Sequence, residues 1–539
     1  MRNINIGKLR NFLTKRFDLV ILFILFFMIL LIRIPFASKF LYDGDAVSYA
    51  LAFQNFNIYL DQPQPPGYIL FIALGRIVNI VFNDPNTSMV FISIVFSILT
   101  VFLVYFLAKQ MFSRKIAIIA SVLLIFNPIF WFYGETSTIY MGEALFATLI
   151  AYTSYQMLKG DNRFIYISAI ALGLSGGFRS DLIFLMFPLW FFCLIYQGFD
   201  YKKIFKSFIV LIEFALFWYI PTILLSGGYL NYSQVTKKVW LIAFGGSSIF
   251  FGANLQSQLM MDYTLLSWTL DGIGILSIFI LSIYIALNFN KFTLSILRNS
   301  KAIFLILWIF PSFLFYFLIY IPKPGYTLIY VPVFVLVISY VIVNFSSNLN
   351  KKIKGIPSNY LIILLLVLCV FFSITQFTSL SPNPKGIDYG NIQSKDLTTQ
   401  YFIESLNDFN PNDTLIFFTN EDDWRKYMYY YTNYESLTNL RYNVSGKTNQ
   451  SIIYYKNHKS TDINPQNNQI ILNSSTKYII WMVTDNSNFG ATDNFNYLQE
   501  LQSQINVETI TFSDGYNIYY SEIGNNTNIN IDNLTITKD

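Results

Sequence analysis

Long apolar runs constrain this chain more than any other feature of its sequence. Runs of about 17 to 25 mostly apolar residues, the length that crosses a bilayer as a helix, recur from Phe17 to about Phe377 and then stop. Only 12% of the 539 residues are charged, whereas soluble domains carry about 25%. The sequence therefore predicts a multi-pass α-helical membrane protein.

The basic residues indicate how these helices are oriented. Five lysines and arginines precede the first run, which favours a cytoplasmic N-terminus. The run over 67–83 is short and is interrupted by Arg76, so we expect an interfacial helix along the outer surface. With that choice the basic loops fall inside and the C-terminus falls outside. The basic residues left at later outward turns are Arg179, Lys237, Lys238 and Lys323.

This topology has about eleven spans. They are predicted at 17–36, 87–108, 115–133, 137–158, 164–178, 181–197, 207–225, 264–288, 302–320, 326–345 and 358–378. The membrane domain accordingly covers 1–378. Its first outer loop, 37–86, holds juxtamembrane helices, and its second outer loop is 226–263.

The composition changes after Phe377. Residues 381–384 begin a linker, and about 395–523 reads as a soluble α/β domain. We expect 379–539 to form this domain outside the cytoplasm, with a disordered polar tail at 525–539. Its predicted strands are 414–418, 451–455, 477–483 and 507–512, and its predicted helices are 397–409, 424–431 and 494–504.

The scarcity of certain residues excludes several classes of function. Two cysteines, Cys193 and Cys369, lie in apolar runs, and His458 is the single histidine. These residues cannot supply a zinc site or a Ser-His-Asp triad. No glycine-rich phosphate loop of the P-loop kind occurs, so ATP hydrolysis is not the energy source. The basic residues report orientation and not nucleic-acid binding.

Acids and cations converge at the predicted outer membrane surface. Asp43 and Asp45 follow the first span and precede Gln64-Pro65-Pro66-Gly67-Tyr68 in the same loop. Sugar transfer from a lipid phosphate requires two groups. One is a carboxylate that takes a proton, and the other is a cation that holds the departing phosphate. Arg179 and Lys323 are the candidate phosphate-binding cations.

Each of these residues also has a structural interpretation. Asp-Gly is a common turn, so Asp43-Gly44-Asp45 is also compatible with a simple end to the first span. An Asp-x-Asp pair is compatible with a divalent metal. Arg179 is compatible with an interface anchor or with a partner for Asp181.

The motifs resemble those of the GT-C superfamily of polyprenyl-phosphate-sugar glycosyltransferases, particularly its protein O-mannosyltransferase-like and lipid A aminoarabinose transferase-like branches. In that family an acidic motif follows the first span and an aromatic residue follows shortly after, and Asp45-Ala46-Val47-Ser48-Tyr49 is similar. A His-Pro-Pro or Lys-Pro-Pro then opens a juxtamembrane helix, where this chain has Gln64-Pro65-Pro66. Thr138-Ile139-Tyr140 also looks like one of these branches.

The resemblance implies an inverting enzyme with Asp45 as general base and Asp43 as the fallback. Its implied partners are a polyprenyl phosphate carrying a mannose-like hexose, membrane lipids and an extracytoplasmic protein, lipid or glycan acceptor. The implied location is the plasma membrane. No cofactor is implied, and a divalent metal stays open. The residues implied to bind substrate are Arg179, Lys323, Gln64, Tyr68, Tyr140 and Tyr49.

One interpretation from a different class stays open. A non-catalytic membrane protein that carries a lipid or glycan, or that assists an assembly, would also place acids at its outer surface. In that case the acids would be structural, and the substitution Asp45→Asn would have little effect.

Overall fold

The change in composition after Phe377 coincides with a change in secondary structure. The computed structural model describes residues 6–288, 299–320, 323–352, 357–380, 386–444, 447–456, 459–462, 469–483, 497–513, 515–531 and 534–538. Within these residues helices form the chain as far as Phe377, and the strands follow later. His458 and the linker predicted at 381–384 lie outside the described residues.

The helical part begins with a long helix and then a series of shorter ones. These first helices are α1 (Ile6–Arg33), α2 (Gly44–Gln54), α3 (Ile69–Phe82), α4 (Pro85–Met111), α5 (Arg114–Ile125), α6 (Pro128–Tyr133) and α7 (Tyr140–Leu158). The next are α8 (Phe164–Phe178), α9 (Asp181–Tyr196), α10 (Tyr201–Leu225), α11 (Tyr229–Gly245), α12 (Leu255–Ile273), α13 (Ile275–Leu287), α14 (Ser300–Leu318), α15 (Val331–Lys352) and α16 (Ser358–Phe377). A 3-10 helix, Pro324–Ile329, precedes α15.

Six of the described helices are long and apolar enough to cross a membrane, or seven spans if the bent pair α12 and α13 counts as one. The six segments are Arg16–Phe36, Pro85–Met111, Tyr201–Leu225, Ser300–Leu318, Val331–Leu349 and Ser358–Phe377. The chain is thus a multi-pass membrane protein, but the predicted count of eleven spans is not confirmed. The expected interfacial helix exists as α3, and its orientation in a membrane stays a prediction.

Two predicted spans are wrong as single helices. The run 115–133 divides into α5 and α6, because Asn127 caps α6 by accepting from the Phe130 N–H at 3.1 Å and Pro128 opens it. The run 264–288 divides into α12 and α13, which meet at an angle of 86°. Gly274 lies at that corner with φ +83°, which a residue with a side chain rarely adopts. The Asn127 amide also donates to the Gly272 carbonyl at 2.7 Å, so the two breaks contact each other.

Helix α8 packs closely on α10 through a glycine. The Trp218 indole N–H donates to the Gly173 carbonyl at 2.8 Å, and no side chain separates the two backbones at this crossing. This contact holds the C-terminal end of α8, where Arg179 follows, in a fixed position relative to α10.

The C-terminal part forms two sheets within the described residues. Its helices are α17 (Tyr389–Ser405), α18 (Glu421–Tyr430) and α19 (Tyr497–Gln502). Its strands are β1 (Thr414–Phe418), β2 (Glu435–Val444), β3 (Lys447–Lys456), β4 (Lys459–Asp462), β5 (Gln469–Ile471), β6 (Tyr478–Met482), β7 (Glu508–Thr511), β8 (Asn517–Glu522), β9 (Thr527–Ile531) and β10 (Leu534–Lys538). The larger sheet has the order β4-β3-β2-β1-β6-β8-β7, with β1 parallel to both β2 and β6.

The disordered tail predicted at 525–539 is wrong. Strands β9 and β10 pair antiparallel, and β10 also pairs with β5 in the second sheet. Ile529, Ile531, Leu534 and Ile536 are fully buried, so the tail contributes to the hydrophobic core beneath the larger sheet. Alternation of apolar and polar residues, the usual signal of a strand, is present there among many asparagines.

The substitution Gly173→Ala should lower the melting temperature of the purified full-length chain. A Cβ at this position would lie 2.7 Å from the Leu211 carbonyl oxygen and 2.9 Å from Phe214 Cβ, both on α10. Overpacking of this kind costs about 1–3 kcal/mol, more than the ~0.5–1 kcal/mol that alanine gains over glycine in a helix. The control is Gly246→Ala, whose Cβ would lie 3.5 Å from its nearest neighbour. A Gly173→Ala protein as stable as wild type would contradict this packing.

Candidate active site

The two aspartates of the first loop have different structural roles. Asp43 is the N-cap of α2 and accepts from the Ala46 N–H at 3.0 Å, while Asp45 lies in the first turn of that helix. Asp43 thus begins α2 and does not end the first span, which stops at Phe36. The Asp45 side chain keeps 31% of its surface exposed and that of Asp43 only 6%, so Asp45 is the more accessible to a ligand.

Lys323 joins the two carboxylates. Its Nζ lies 2.6 Å from Asp43 Oδ2 and 2.6 Å from Asp45 Oδ2, although about 280 residues separate them in sequence. Lys323 is the N-cap residue of the 3-10 helix Pro324–Ile329, whose residues are mostly buried. The ammonium is therefore carried by a fixed element, and we call Asp43, Asp45 and Lys323 the acid–lysine triad.

Gln64 extends the triad towards the Pro-Pro-Gly turn. Its Nε2 donates to Asp45 Oδ1, while its buried Oε1 has no hydrogen-bond partner. The turn closes with the Gly67 N–H donating to the Gln64 carbonyl at 3.1 Å, and Gly67 adopts φ +111°. The turn thus places the side-chain amide of Gln64 against Asp45. The buried Gln64 Oε1 stays beside the carboxylate as an acceptor without a hydrogen-bond partner.

Arg179 forms a second cluster. Its Nε lies 3.1 Å from Glu143 Oε1 and 3.2 Å from Asp181 Oδ1. Its guanidinium carbon lies 4.1 Å from the ring centroid of Tyr326, with Tyr140 at 5.7 Å and Tyr68 at 6.0 Å. Arginine over aromatic faces is a favourable cation–π arrangement. The pairing of Arg179 with Asp181 is thus present in the structure.

The 3-10 helix Pro324–Ile329 lies between the two clusters. Lys323 at its start binds the aspartates, and Tyr326 in its first turn covers Arg179. Gly325 packs so closely on Tyr140 that a Cβ there would lie 2.3 Å from the Tyr140 ring. Tyr68 also contacts Tyr49 with a centroid separation of 5.7 Å. The eight residues predicted from sequence therefore lie in two clusters that this helix and these tyrosines connect.

Sequence reasoning missed a residue from the C-terminal part. Arg425 on α18 donates to Ser48 Oγ at 2.9 Å and lies 3.4 Å from Asp61 Oδ2, so it reaches α2 one turn beyond Asp45. Its own helix contributes Glu421 at 2.9 Å. The separation of 377 residues from Ser48 leaves no sequence signal for this contact. Tyr326 was missed as well, although it lies only three residues after the outward Lys323.

Further contacts hold the first loop against both neighbouring parts of the molecule. On one side the Ser38 N–H donates to the Glu135 carbonyl at 3.0 Å and the Tyr42 N–H donates to Ser137 Oγ at 3.2 Å. On the other side the Asp396 carboxylate accepts from the Lys39 N–H at 2.8 Å. The backbone that leads to Asp43 is thus fixed from both directions.

Burial raises the pKa of the Asp45 carboxyl above its usual value, and Asp43 adds to this effect. The Lys323 ammonium opposes it, as does the more distant guanidinium of Arg425. A carboxylate with a raised pKa is a stronger base than a fully solvated one. The triad thus holds a carboxylate whose basicity depends on two cations.

A comparison with protein families finds a match within the helical part of the chain. Residues 63–224 match the family described as dolichyl-phosphate-mannose-protein mannosyltransferase. That segment includes Gln64, Tyr68 and Arg179, whereas Asp45 and Lys323 lie outside it. No curated protein sequence matches the chain.

The solved structures that are similar to the chain include ArnT and AglB. One is ArnT from Cupriavidus metallidurans bound to undecaprenyl phosphate, at 10% identity and a TM-score of 0.47 over 75% of this chain and 82% of that one. The other is the oligosaccharyltransferase AglB from Archaeoglobus fulgidus in complex with an inhibitory peptide and a dolichol-phosphate. It has 15% identity and a TM-score of 0.41 over 73% of this chain and 58% of that one. The chain thus spans little more than half the length of the archaeal protein.

The substitution Arg425→Gln should increase amide hydrogen exchange in α2. It removes the charged contacts to Ser48 and Asp61, and a hydrogen bond to a charged group is worth about 1.5–3 kcal/mol. Exchange measured by mass spectrometry should rise at least tenfold in peptides from 44–54. The control Arg163→Gln breaks an exposed pair with Asp161 and should leave α2 unchanged. Unchanged exchange in both variants would refute a docking role for Arg425.

Proposed function

We propose that this chain is a glycosyltransferase of the GT-C superfamily and that it transfers a hexose from a polyprenyl phosphate to a hydroxyl group outside the cytoplasm. A mannose-like sugar is the first candidate, in keeping with the name of the family matched by residues 63–224. The acceptor is a protein, a lipid or a growing glycan. The membrane is the plasma membrane, and the triad faces its outer side.

The observation that carries the proposal is the position of the acid–lysine triad next to Arg179. A single short helix links an accessible carboxylate to a guanidinium, through Lys323 at its start and Tyr326 in its first turn. Glycosyl transfer from a phosphate needs these two chemistries side by side, a base for the acceptor and a cation for the leaving group. A protein that only carries a lipid would have no need of the base.

In the proposed reaction Asp45 is the general base. The acceptor hydroxyl gives its proton to the Asp45 carboxylate while its oxygen bonds to the anomeric carbon of the sugar. The bond from that carbon to the phosphate oxygen breaks on the opposite face, so the configuration inverts and the lipid leaves as polyprenyl phosphate. Water at the outer surface then takes the proton from Asp45.

Asp45 is preferred over Asp43 because their remaining contacts differ. Asp43 is almost fully buried and caps α2 with one oxygen while it binds Lys323 with the other. Asp45 is more exposed and lies beside the buried Gln64 Oε1, which has no partner. A hydroxyl donor would satisfy that acceptor. Substrate hydroxyls would thus meet Gln64 and Asp45 together.

Arg179 is the proposed site for the phosphate. A guanidinium binds two phosphate oxygens at once, which an ammonium does not. The phosphate would replace Asp181, whose side chain is 26% exposed, and leave the buried Glu143 to orient the guanidinium. Tyr49, Tyr68 and Tyr140 would line the space for the sugar, and the lipid tail would run beside α3, whose first residue follows Tyr68.

The substitution Asp45→Asn should abolish transfer without loss of folded protein. Removal of a general base costs about 10²–10⁴-fold in rate. Cells that lack the protein are complemented with each variant, and mass spectrometry then measures the hexose on their surface glycans and proteins. Asp161→Asn is the isosteric control, because the Asp161 carboxylate binds the exposed Arg163 in the loop between α7 and α8. Hexose levels restored by a folded Asp45→Asn protein as fully as by wild type would contradict Asp45 as the base and would be compatible with the carrier interpretation.

The pH profile of transfer should respond to Arg425. Asp45 acts as a base only when ionised, so activity falls as the pH drops through its pKa. The guanidinium of Arg425 lowers that pKa, so Arg425→Gln should raise it and move the acid limb of the profile to higher pH. Arg163→Gln should leave the limb in place. A limb that moves to lower pH, or not at all, would contradict Asp45 as the titrating base.

A further inference from the structure

The segment 229–251 lies between the ends of two spans. It begins four residues after α10 ends at Leu225, and it comprises α11 and a 3-10 helix, Ile249–Phe251. Near its other end the Ser248 hydroxyl donates to the carbonyl of Leu318, the last residue of α14, at 2.6 Å. Helices α10 and α14 are both long and apolar enough to cross a membrane. The segment therefore runs along the membrane surface from one span to the other.

The exposed side of this segment becomes apolar towards its end. In the last two turns of α11, Trp240, Leu241 and Ile242 are each at least half exposed. The 3-10 helix Ile249–Phe251 exposes all three of its side chains, with Phe250 at 66%. A helix that lies in the membrane interface typically presents tryptophan, phenylalanine and leucine to the acyl chains. These apolar side chains thus insert among lipids at the membrane surface.

Two lysines immediately precede the apolar residues. Lys237 and Lys238 are both exposed, and within the part of the chain that the structure describes neither forms an ion pair with a carboxylate. A lysine at the edge of an apolar surface extends its ammonium to the level of the lipid headgroups. Ammonium groups at that level attract anionic headgroups. We propose that segment 229–251 is an interfacial anchor, and that Lys237 and Lys238 bind the phosphate groups of anionic phospholipids.

The charge of this face selects the lipid as its partner. The segment 229–251 contains two lysines and no acidic residue. A two-fold contact with a second copy of the chain would bring four ammonium groups close together, with no acid on the segment to offset them. A leaflet of anionic phospholipids complements both the lysines and the apolar side chains beside them.

The anchor also contacts the surroundings of the acid–lysine triad. The Tyr232 hydroxyl donates to the Pro66 carbonyl at 3.4 Å, within the Pro-Pro-Gly turn. Leu318, which holds the other end of the anchor, precedes Lys323 by five residues. Bound lipid would thus stabilise the surroundings of the triad from the membrane side. This inference goes beyond the proposed function and does not depend on sugar transfer.

Hydrogen exchange in bilayers of defined composition tests the lipid preference. The full-length chain is placed in nanodiscs of phosphatidylcholine alone, or of equal parts phosphatidylcholine and phosphatidylglycerol. Mass spectrometry then follows amide exchange in peptides from 229–245. Exchange should be about fivefold slower in the anionic nanodiscs, which corresponds to the ~1 kcal/mol that one lysine gains near an anionic surface. The difference should disappear in about 1 M salt, where the Debye length is only ~3 Å.

Two matched double variants show whether the lysines cause this difference. Lys237→Gln/Lys238→Gln should exchange at the same rate in both kinds of nanodisc, because the attraction to anionic headgroups is lost. The control Lys202→Gln/Lys206→Gln removes another exposed pair of lysines at the opposite end of α10. It should keep the wild-type difference in 229–245.

Fluorescence quenching tests the position of the apolar end. Cys193 and Cys369 are buried, so bimane is attached to one introduced cysteine in the full-length chain. Phosphatidylcholine brominated on its acyl chains serves as the quencher. A label on Leu241→Cys should be quenched as strongly as one on Leu216→Cys, an exposed position of the span α10. A label on Ser503→Cys, exposed in the C-terminal part, should not be quenched.

Several results would overturn the inference. One is wild-type exchange in 229–245 that is equal in the two lipid compositions, and another is a lipid dependence that persists in Lys237→Gln/Lys238→Gln. A third is a label on Leu241→Cys that brominated lipid does not quench. Protection found only in nanodiscs that hold two chains would likewise overturn it, in favour of a second copy as the partner.

Discussion

The placement of one ammonium between two carboxylates is the constraint on which the rest of the site depends. Two aspartates at the start of one short helix repel each other. Burial in addition raises the free energy of a charged carboxylate. Lys323 offsets both effects with bonds of 2.6 Å to each. Because it comes from the other end of the helical part, the bundle must fold before the pair acquires its cation. The accessible base is therefore a property of the assembled fold and not of the Asp-Gly-Asp sequence.

A 3-10 helix, a turn and an arginine from the C-terminal part support this arrangement. The 3-10 helix that presents Lys323 also presents Tyr326 to Arg179, so one rigid segment sets the spacing of the acid and the guanidinium. The Pro-Pro-Gly turn brings Gln64 to Asp45. From the C-terminal part, Arg425 reaches the same helix and adds its charge to the field at Asp45. The C-terminal part thus contributes a charged side chain to the site.

The sequence predicted the local features of this site better than its long-range ones. Lys323 and Arg179 were identifiable because they are outward cations against the positive-inside trend, and Gln64 because it begins a Pro-Pro-Gly turn. Arg425 had no comparable signal, since its role comes from docking of α18 on α2. The breaks at Asn127 and Gly274 were missed because apolar runs continue through them, and capping and φ decide the geometry there. The β9–β10 strands were missed because asparagines masked their alternation.

A structure of the full-length chain with a polyprenyl phosphate, solved by cryo-electron microscopy in a lipid nanodisc, tests the central claim most directly. We expect the phosphate to lie on the Arg179 guanidinium in place of Asp181, with Asp45 and Lys323 still joined and facing the same space. The opposite end of the bundle offers another cationic group, where Lys109 and Arg114 contact Asp18. A phosphate bound there, with the space beside Asp45 and Arg179 closed to it, would contradict the account.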